Sequence, residues 1–279
     1  MPEVTPGTLY LVATPIGNLS DISMRAVNTL KDVDFIAAED TRVTRKLLEH
    51  LEIKKTVVSY RQHNSRTSGE KILARLISGD SCALVTDAGT PGISDPGGEL
   101  VSLCAKENAP MVVVPGPCAA VSALSMSGID TGRFTFEGFL PVQKKERNEH
   151  LIELKEEKRT MVFYEAPHKL TATLSDLLKT LGNRRISISR EMTKVYEETL
   201  RFSLYDALSY FENKAPRGEF VIVVEGADDT TESDEMLEEG LRYALTLIES
   251  GLSVKYAVKK AADETGCSKN ALYKAVIAD

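Results

Sequence analysis

The sequence predicts an α/β protein in which two sheet-containing domains precede a small helical element. Short apolar runs typical of buried strands alternate with amphipathic helical segments from residue 8 to residue 224. The sequence Pro-Gly-Pro at 115–117 interrupts this alternation. An acidic stretch at 228–239 then separates the last strand from further helical segments. These three observations place domain boundaries near residues 117 and 228.

In the first domain, residues 1–117, apolar runs predict four strands. The strands lie at 8–13, 35–38, 83–85 and 111–114, and apolar side chains at helical spacing predict helices near 24–30, 47–51, 72–77 and 100–105. Ser23 is the expected N-cap of the first helix. Because nearly every strand position is apolar, we expect a mainly parallel sheet with helices on both faces.

The second domain, residues 118–228, repeats the alternation. Strands are predicted at 134–136, 161–164, 186–188 and 220–224, and helices at 119–126, 143–158, 170–181 and 205–211. Residues 229–279 combine an acidic linker with helical segments at 241–248 and 254–277. Ala262, Gly266 and Leu272 fall at the spacing of a helix-turn-helix, with a plain helical hairpin as the alternative.

Composition narrows the class of protein and its location. Hydrophobic residues make up 42% and charged residues 27% of the chain, the balance of an ordinary globular protein. Because the formal net charge is -7, a nucleic acid would have to be bound by local Lys/Arg patches. The four cysteines form no C-x-x-C pair, so we expect neither a metal site nor disulfides. No signal peptide or membrane span is predicted, and we expect a cytoplasmic protein.

One loop is rich in glycine and proline. Residues 87–98 (DAGTPGISDPGG) contain four glycines and two prolines between a predicted buried strand and a helix. Ligands of such sheets bind at the carboxyl ends of strands, where glycines let the backbone approach them; a wide structural turn is the alternative. The motifs G-x-x-x-x-G-K-[ST], G-x-G-x-x-G and G-x-S-x-G are missing from the sequence. Transfer of a group from a bound cofactor is therefore the favoured chemistry.

Several longer motifs carry a resemblance to a known family. The segments LYLVATPIGNL (9–19), AEDTR (38–42), TDAGTPGISDPGG (86–98) and PGP (115–117) resemble the tetrapyrrole methylase superfamily. Together with FYEAPH (163–168), SREMTK (189–194) and GEF (218–220), they resemble its ribosomal RNA small subunit methyltransferase I branch. The likeness spans nearly the whole chain, including the C-terminal helices.

This resemblance implies two α/β domains of tetrapyrrole-methylase type with a cofactor cleft between them, assembled as a homodimer. It implies S-adenosylmethionine as cofactor and 2′-O-methylation of a cytidine in the decoding centre of small-subunit (16S) ribosomal RNA. Carried over motif by motif, the cofactor contacts are Pro15, Ala88, Gly89, Thr90, Ile93, Ser94, Cys118, Ala119, Tyr164 and Ala166. Cys118 departs from the family motif, in which this position commonly carries a hydroxyl group.

A ribose hydroxyl needs a base to accept its proton, so polar residues near strand ends are the candidates for catalysis. They are Asp40, Arg42, Asp95, His168 and Glu191. Each has a structural alternative. For Asp40 and Asp95 it is a helix cap, and for Arg42 a surface ion pair. For His168 it is a structural hydrogen bond, and for Glu191 simple solvation.

Basic and polar residues are the candidates for contact with the RNA backbone. They are Arg61, His63, Asn64, Arg66, Lys144, Lys145, Arg147, Lys269 and Lys274, with plain solvation as the alternative for each. Two other functions stay open: C-methylation of a corrin or porphyrin precursor, and a non-catalytic role in ribosome assembly with S-adenosylmethionine as a ligand. The C-terminal helices argue against the first, because a small-molecule methylase does not need them.

Overall fold

The computed structural model describes residues 4–61, 65–227 and 234–278. The chain forms two compact units. The first comprises Met1–Ile152 with Thr160–Glu225, and the second comprises Glu153–Arg159 with Gly226–Asp279. Both sheets belong to the first unit. The sequence boundaries at 117 and 228 stay predictions.

The first sheet is entirely parallel, as its apolar strands predicted. Its strands are β1 (Leu9–Val12), β2 (Phe35–Ala38), β3 (Thr56–Ser59), β4 (Cys82–Val85) and β5 (Met111–Val114), in the order β3-β2-β4-β1-β5. The helices are α1 (Met24–Asp32), α2 (Thr41–His50), α3 (Ser65–Ile77) and α4 (Gly98–Lys106). Sequence analysis missed β3, because this edge strand is only partly buried and has no continuous apolar run.

The second sheet is mixed. Its strands are β6 (Phe134–Gly138), β7 (Thr160–Glu165), β8 (Arg185–Arg190), β9 (Glu198–Ser203) and β10 (Phe220–Val224), in the order β6-β7-β10-β8-β9. Only β6 and β7 pair in parallel; the other neighbours are antiparallel. The polar edge strand β9 was also missed, since its sequence ETLRFS lacks an apolar run.

Four helices accompany the second sheet. They are α5 (Ala119–Met126), α6 (Lys144–Glu153), α7 (Leu170–Leu181) and α8 (Leu204–Asn213). The bounds of α5 and α7 agree with the predicted ones. The prediction that α6 extends to residue 158 was wrong: the helix ends at Glu153, and its charged sequence carries little apolar periodicity to mark an end.

The first sheet has a buried core on each face. Alternating strand residues divide between two hydrophobic clusters, one containing Tyr10 and Ile36, the other containing Leu9 and Phe35. Tyr60 in the second cluster is fully buried, and its hydroxyl accepts a hydrogen bond of 3.1 Å from the amide of Leu100. That amide lies in the first turn of α4, whose N-cap Gly97 has no side chain to satisfy it.

The second unit contains the helices α9 (Asp234–Glu249), α10 (Val254–Thr265) and α11 (Lys269–Ala278). Gly266 ends α10 in the left-handed conformation, at φ 78°, and its amide donates to the carbonyl of Ala262. Ala262 and Leu272 are buried in the core of the unit. The predicted helix-turn-helix spacing is therefore realised as two packed helices around a glycine turn. None of the described helices has the length and apolar character required to cross a bilayer.

Replacing Tyr60 with Phe is expected to lower the free energy of unfolding by about 1–3 kcal/mol, because the buried amide of Leu100 would lose its partner. Chemical denaturation followed by circular dichroism measures this change. Tyr205→Phe is the matched control at an exposed position of α8 and should change the free energy by less than about 0.5 kcal/mol. Equal losses for the two variants would contradict the role given to the Tyr60 hydroxyl.

Candidate functional site

A deep cavity lies in the first unit, where loops of both sheets meet. It has a volume of about 500 Å³ and is called the main cavity below. Its lining residues are Ile16, Ala88, Gly89, Thr90, Ile93, Ser94, Asp95, Cys118, Ala119, Phe139, Tyr164, Glu165, Ala166, Pro167, His168, Met192, Glu219, Phe220 and Val221. A mostly apolar cavity of this size, with a few polar groups, suits a ligand of nucleoside size.

The main cavity brings together the predicted cofactor residues that come from three distant motifs. All of them line it except Pro15, whose neighbour Ile16 does. Pro15 lines an adjacent cavity of about 230 Å³, called the side cavity below. Two catalytic candidates, Asp95 and His168, also line the main cavity.

Backbone geometry holds the glycine-rich loop in place. Thr14 and Gly89 exchange two backbone hydrogen bonds of 2.9 and 3.1 Å, which join the loops that follow β1 and β4. Gly89 has φ 84°, a conformation that favours glycine. The Thr90 hydroxyl donates to the carbonyl of Pro117 at 3.3 Å. The loop is thus fixed with its backbone against the cavity.

Tyr164, at the end of β7, lines the main cavity from the second sheet. Its hydroxyl accepts a hydrogen bond of 3.2 Å from the amide of Ala120, in the first turn of α5. The rings of Phe136 and Phe139 pack edge-on against it, with centroids at 5.0 and 5.6 Å. Burial, followed by the nearby Cys118, raises the pKa of Tyr164 to about 12. Tyr164 is therefore a neutral, rigid wall at physiological pH.

Asp95 carries the most perturbed carboxyl group of the cavity. Burial, reinforced by the negative charges of Glu39 and Asp87, raises its pKa to about 6. The structure gives no helix-capping bond for Asp95, and Gly97 is the N-cap of the following helix. A carboxyl group with a pKa near 6 is ionised at neutral pH and still basic enough to accept a proton.

Glu165 is a buried carboxylate that sequence reasoning did not name as a site residue. It is 4% exposed at the end of β7, and its oxygens accept hydrogen bonds from the amide of Ala166 and the hydroxyl of Thr173. Thr173 in turn accepts a hydrogen bond of 2.8 Å from Arg147, which also pairs with Asp176 at 2.7 Å. This chain of contacts fixes the segment of β7 that faces the cavity.

Asp40 and Arg42 lie outside the main cavity. Asp40 is the N-cap of α2: its carboxylate accepts a hydrogen bond of 2.8 Å from the amide of Arg42 and pairs with the Arg42 guanidinium. Hydrogen bonds from Arg42 hold the pKa of Asp40 well below its usual range. Both structural alternatives, a cap and an ion pair, are therefore realised here.

Glu191 also does not line the main cavity. Its carboxylate accepts hydrogen bonds from Lys194 Nζ at 3.0 Å and from the amide of Glu219 at 3.1 Å. Lys194 bonds to the carboxylate of Glu219 as well, at 2.8 Å. Since Glu219 lines the cavity, Glu191 supports that wall without reaching it.

The RNA candidates have different surroundings. Arg66, Lys144, Lys145, Lys269 and Lys274 are exposed. Arg61 is partly buried and donates to the carbonyl of Glu39 at 3.1 Å. The prediction for Arg147 is corrected. Its side chain is only 14% exposed, pairs with Asp176 and donates a hydrogen bond to Thr173, so it does not form a free basic surface. His63 and Asn64 lie outside the described residues.

Some lining residues gave little signal in the sequence. Glu165, Met192 and Glu219 belong to the motifs quoted for the family resemblance, so that signal was present. Phe139 gave no sequence signal. It follows an irregularity in the pairing of β6 with β7, and no pattern of apolar residues predicts such an irregularity. Among the described residues, no group of three or more His, Cys, Asp or Glu side chains is arranged to hold a metal ion.

Comparison with known proteins identifies the family of the chain. The tetrapyrrole (corrin/porphyrin) methylase model matches residues 8–208, and the model of the RsmI C-terminal HTH domain matches residues 232–279. The chain is 48% identical to the ribosomal RNA small subunit methyltransferase I of Halalkalibacterium halodurans, covering 96% of this chain and 93% of that protein. The Bacillus subtilis protein of the same name is 45% identical, with coverages of 96% and 94%.

Solved structures with a similar fold include two methyltransferases named for uroporphyrin-III and cobalt precorrin-4. Uroporphyrin-III-C-methyltransferase from Thermus thermophilus is similar with a TM-score of 0.56 and 19% identity, covering 78% of this chain and 94% of that one. Cobalt precorrin-4 methyltransferase gives a TM-score of 0.57 at 17% identity, covering 78% and 95%.

These solved structures show a shared fold, whereas the family models and close relatives identify the branch. The tetrapyrrole methylases take their methyl group from S-adenosylmethionine. The chain belongs to the tetrapyrrole methylase family and, within it, to the ribosomal RNA small subunit methyltransferase I family.

Proposed function

We propose that the protein transfers a methyl group from S-adenosylmethionine to the 2′-oxygen of a cytidine in the decoding centre of small-subunit ribosomal RNA. The similarity to relatives named ribosomal RNA small subunit methyltransferase I carries this proposal, because it extends over 96% of the chain. We further propose that it acts as a homodimer on the small ribosomal subunit, in the cytoplasm.

The main cavity fits the cofactor. Its volume of about 500 Å³ lies within the roughly 300–1,000 Å³ that holds drug-sized ligands. The lining residues of the glycine-rich loop and the start of α5 would contact it, together with Tyr164 and Ala166 from the second sheet. When bound, S-adenosylmethionine supplies an electrophilic methyl group. The chain's own contribution is to orient the ribose, exclude water and accept one proton.

Asp95 is the residue that we propose as the proton acceptor. It lines the main cavity, and its pKa of about 6 leaves it ionised at neutral pH. Asp40 is a poorer base, since Arg42 stabilises its ionised form and lowers its pKa. His168 is exposed at the cavity rim and is the second candidate.

The RNA would contact exposed cations on helices of both units. Lys144 and Lys145 on α6, Arg66 on α3, and Lys269 and Lys274 on α11 remain in this proposal. Arg147 does not, because it is held by Asp176 and Thr173. Phosphate contacts of this kind fix the position of the RNA without reading its sequence.

The alternatives have less support. A tetrapyrrole C-methyltransferase shares the fold, but the similarity is only 17–19% identity and leaves the C-terminal helices unexplained. A non-catalytic assembly factor would bind S-adenosylmethionine without needing a perturbed carboxyl group in the cavity. Asp95 therefore favours an enzyme.

The native protein should transfer radiolabelled methyl groups to small subunits isolated from a strain without this modification, and mapping should place the label on a cytidine 2′-oxygen. Gly89→Arg should abolish both S-adenosylmethionine binding and transfer, because the new side chain would enter the main cavity from a backbone at φ 84°. Gly79→Arg is the matched control at a glycine with open space around it. Rescue of a deletion strain by a Gly89→Arg variant that transfers no methyl group would instead favour a non-catalytic role in ribosome assembly.

Asp95→Asn should lower kcat by about 10²- to 10⁴-fold, the usual contribution of a general base. The activity of the native enzyme should rise with pH through about 6, where Asp95 loses its proton, and this limb should vanish in the variant. Calorimetry should still detect cofactor binding. Asp32→Asn, at an exposed position of α1, serves as control. An unchanged pH profile in Asp95→Asn would transfer the role to another group.

Thr173→Val should raise the KM for S-adenosylmethionine by about tenfold, because Glu165 and Arg147 would both lose the hydroxyl between them. The kcat should change less, since Thr173 positions the cavity wall and touches no reacting atom. Thr173→Ser retains the hydroxyl and should restore the native KM. If serine and valine variants behave alike, the hydroxyl has no positioning role.

A further inference from the structure

The side cavity lies directly beside the main cavity and is lined by other residues of the same loops. Thr14 and Pro15 face the side cavity whereas Ile16 faces the main one, and Thr86 and Asp87 face the side cavity whereas residues 88–90 face the main one. The backbone bridge between Thr14 and Gly89 separates them.

The size of the side cavity selects small groups. Its volume of about 230 Å³ is below the roughly 300–1,000 Å³ of pockets for drug-sized ligands. A single planar ring fits this space, whereas a tetrapyrrole or a second adenosyl group does not. The rest of a larger substrate would have to remain outside.

The walls suit the faces and edge of a nucleobase. Apolar side chains line it, and two of them, Leu19 and Val43, are 43% and 40% exposed. Asp87 supplies a carboxylate, one oxygen of which is oriented by a hydrogen bond of 3.1 Å from the amide of Asp40. A carboxylate has about four acceptor positions and is the group that accepts from the exocyclic amine of cytosine.

The helix α2, which contributes residues to the side cavity, carries exposed cations. Arg42, Arg45 and Lys46 are exposed on the first two turns of α2, and Lys46 lines the cavity itself. These cations stand out in a chain with a net charge of -7. They can contact phosphates on either side of a base inserted between Leu19 and Val43.

We propose that the side cavity receives the cytosine base of the nucleotide whose ribose is methylated. Asp87 accepts a hydrogen bond from its exocyclic amine, and the basic turn of α2 contacts the flanking phosphates. The inference rests on the proposed function and deepens it: the main cavity holds the cofactor, while the side cavity provides base specificity.

The experiment compares small subunits that carry cytidine or uridine at the methylated position. Asp87→Asn should reduce the preference for cytidine over uridine by about tenfold or more, because an amide can donate to the uracil carbonyl. Val43→Phe should fill the cavity and raise the KM for small subunits about tenfold, while the Kd for S-adenosylmethionine from calorimetry stays unchanged. Val142→Phe makes the same change at an 80% exposed position elsewhere and is the control.

Lys46→Gln adds a binding readout that does not depend on turnover. The affinity for small subunits should fall, and the slope of log affinity against log salt should decrease in magnitude by about one phosphate contact. Lys71→Gln, at an exposed lysine of α3, should change neither.

An unchanged cytidine preference in Asp87→Asn, together with a native KM in Val43→Phe, would overturn the assignment while leaving the proposed function intact. If Val43→Phe fails to bind S-adenosylmethionine, two other measurements test the assignment. They are the cytidine-to-uridine preference of Asp87→Asn and the slope of log affinity against log salt for Lys46→Gln. Failure of the native protein to label either substrate would instead count against the proposed function itself.

Discussion

The site depends on one backbone contact, the pair of hydrogen bonds between Thr14 and Gly89. A parallel sheet brings the ends of β1 and β4 to the same edge, but their loops would otherwise diverge. The pair closes them into a wall with the main cavity on one side and the side cavity on the other. Gly89 makes the contact at φ 84°, which explains why glycine is needed in this loop.

Carboxyl groups near this edge differ in their partners, and this difference sets their chemistry. The carboxylate of Asp40 accepts hydrogen bonds from Arg42, and these lower its pKa. Asp95 is partly buried near Glu39 and Asp87, and this burial, together with their negative charges, raises its pKa to about 6. The pKa of Glu39 is also raised, first by burial and then by Asp87. Carboxyl groups on neighbouring loops therefore differ in how readily they accept a proton.

The second sheet contributes a part of the cavity wall that hydrogen bonds to neighbouring helices hold in position. The short chain of hydrogen bonds from Arg147 through Thr173 to Glu165 connects α6 and α7 with the end of β7. Buried polar groups of this kind are stable only when each has a partner, and here the partners come from three different elements. Disturbing any one of these hydrogen bonds would therefore alter the cavity wall, because Glu165 and Ala166 line the cavity.

Much of the fold and part of the site were predictable from the sequence by itself. The apolar strands required a parallel first sheet, and the glycine-rich loop had to lie at its carboxyl edge, since both follow from local patterns. Gly266 likewise marked the turn of the C-terminal helices. Only the tertiary structure decided that the side chain of Arg147 is mostly buried and that the pKa of Asp95 is raised. Hydrogen-bond partners and burial set these outcomes, and residues far apart in the chain provide them: Asp176 lies beside Arg147, and Glu39 near Asp95.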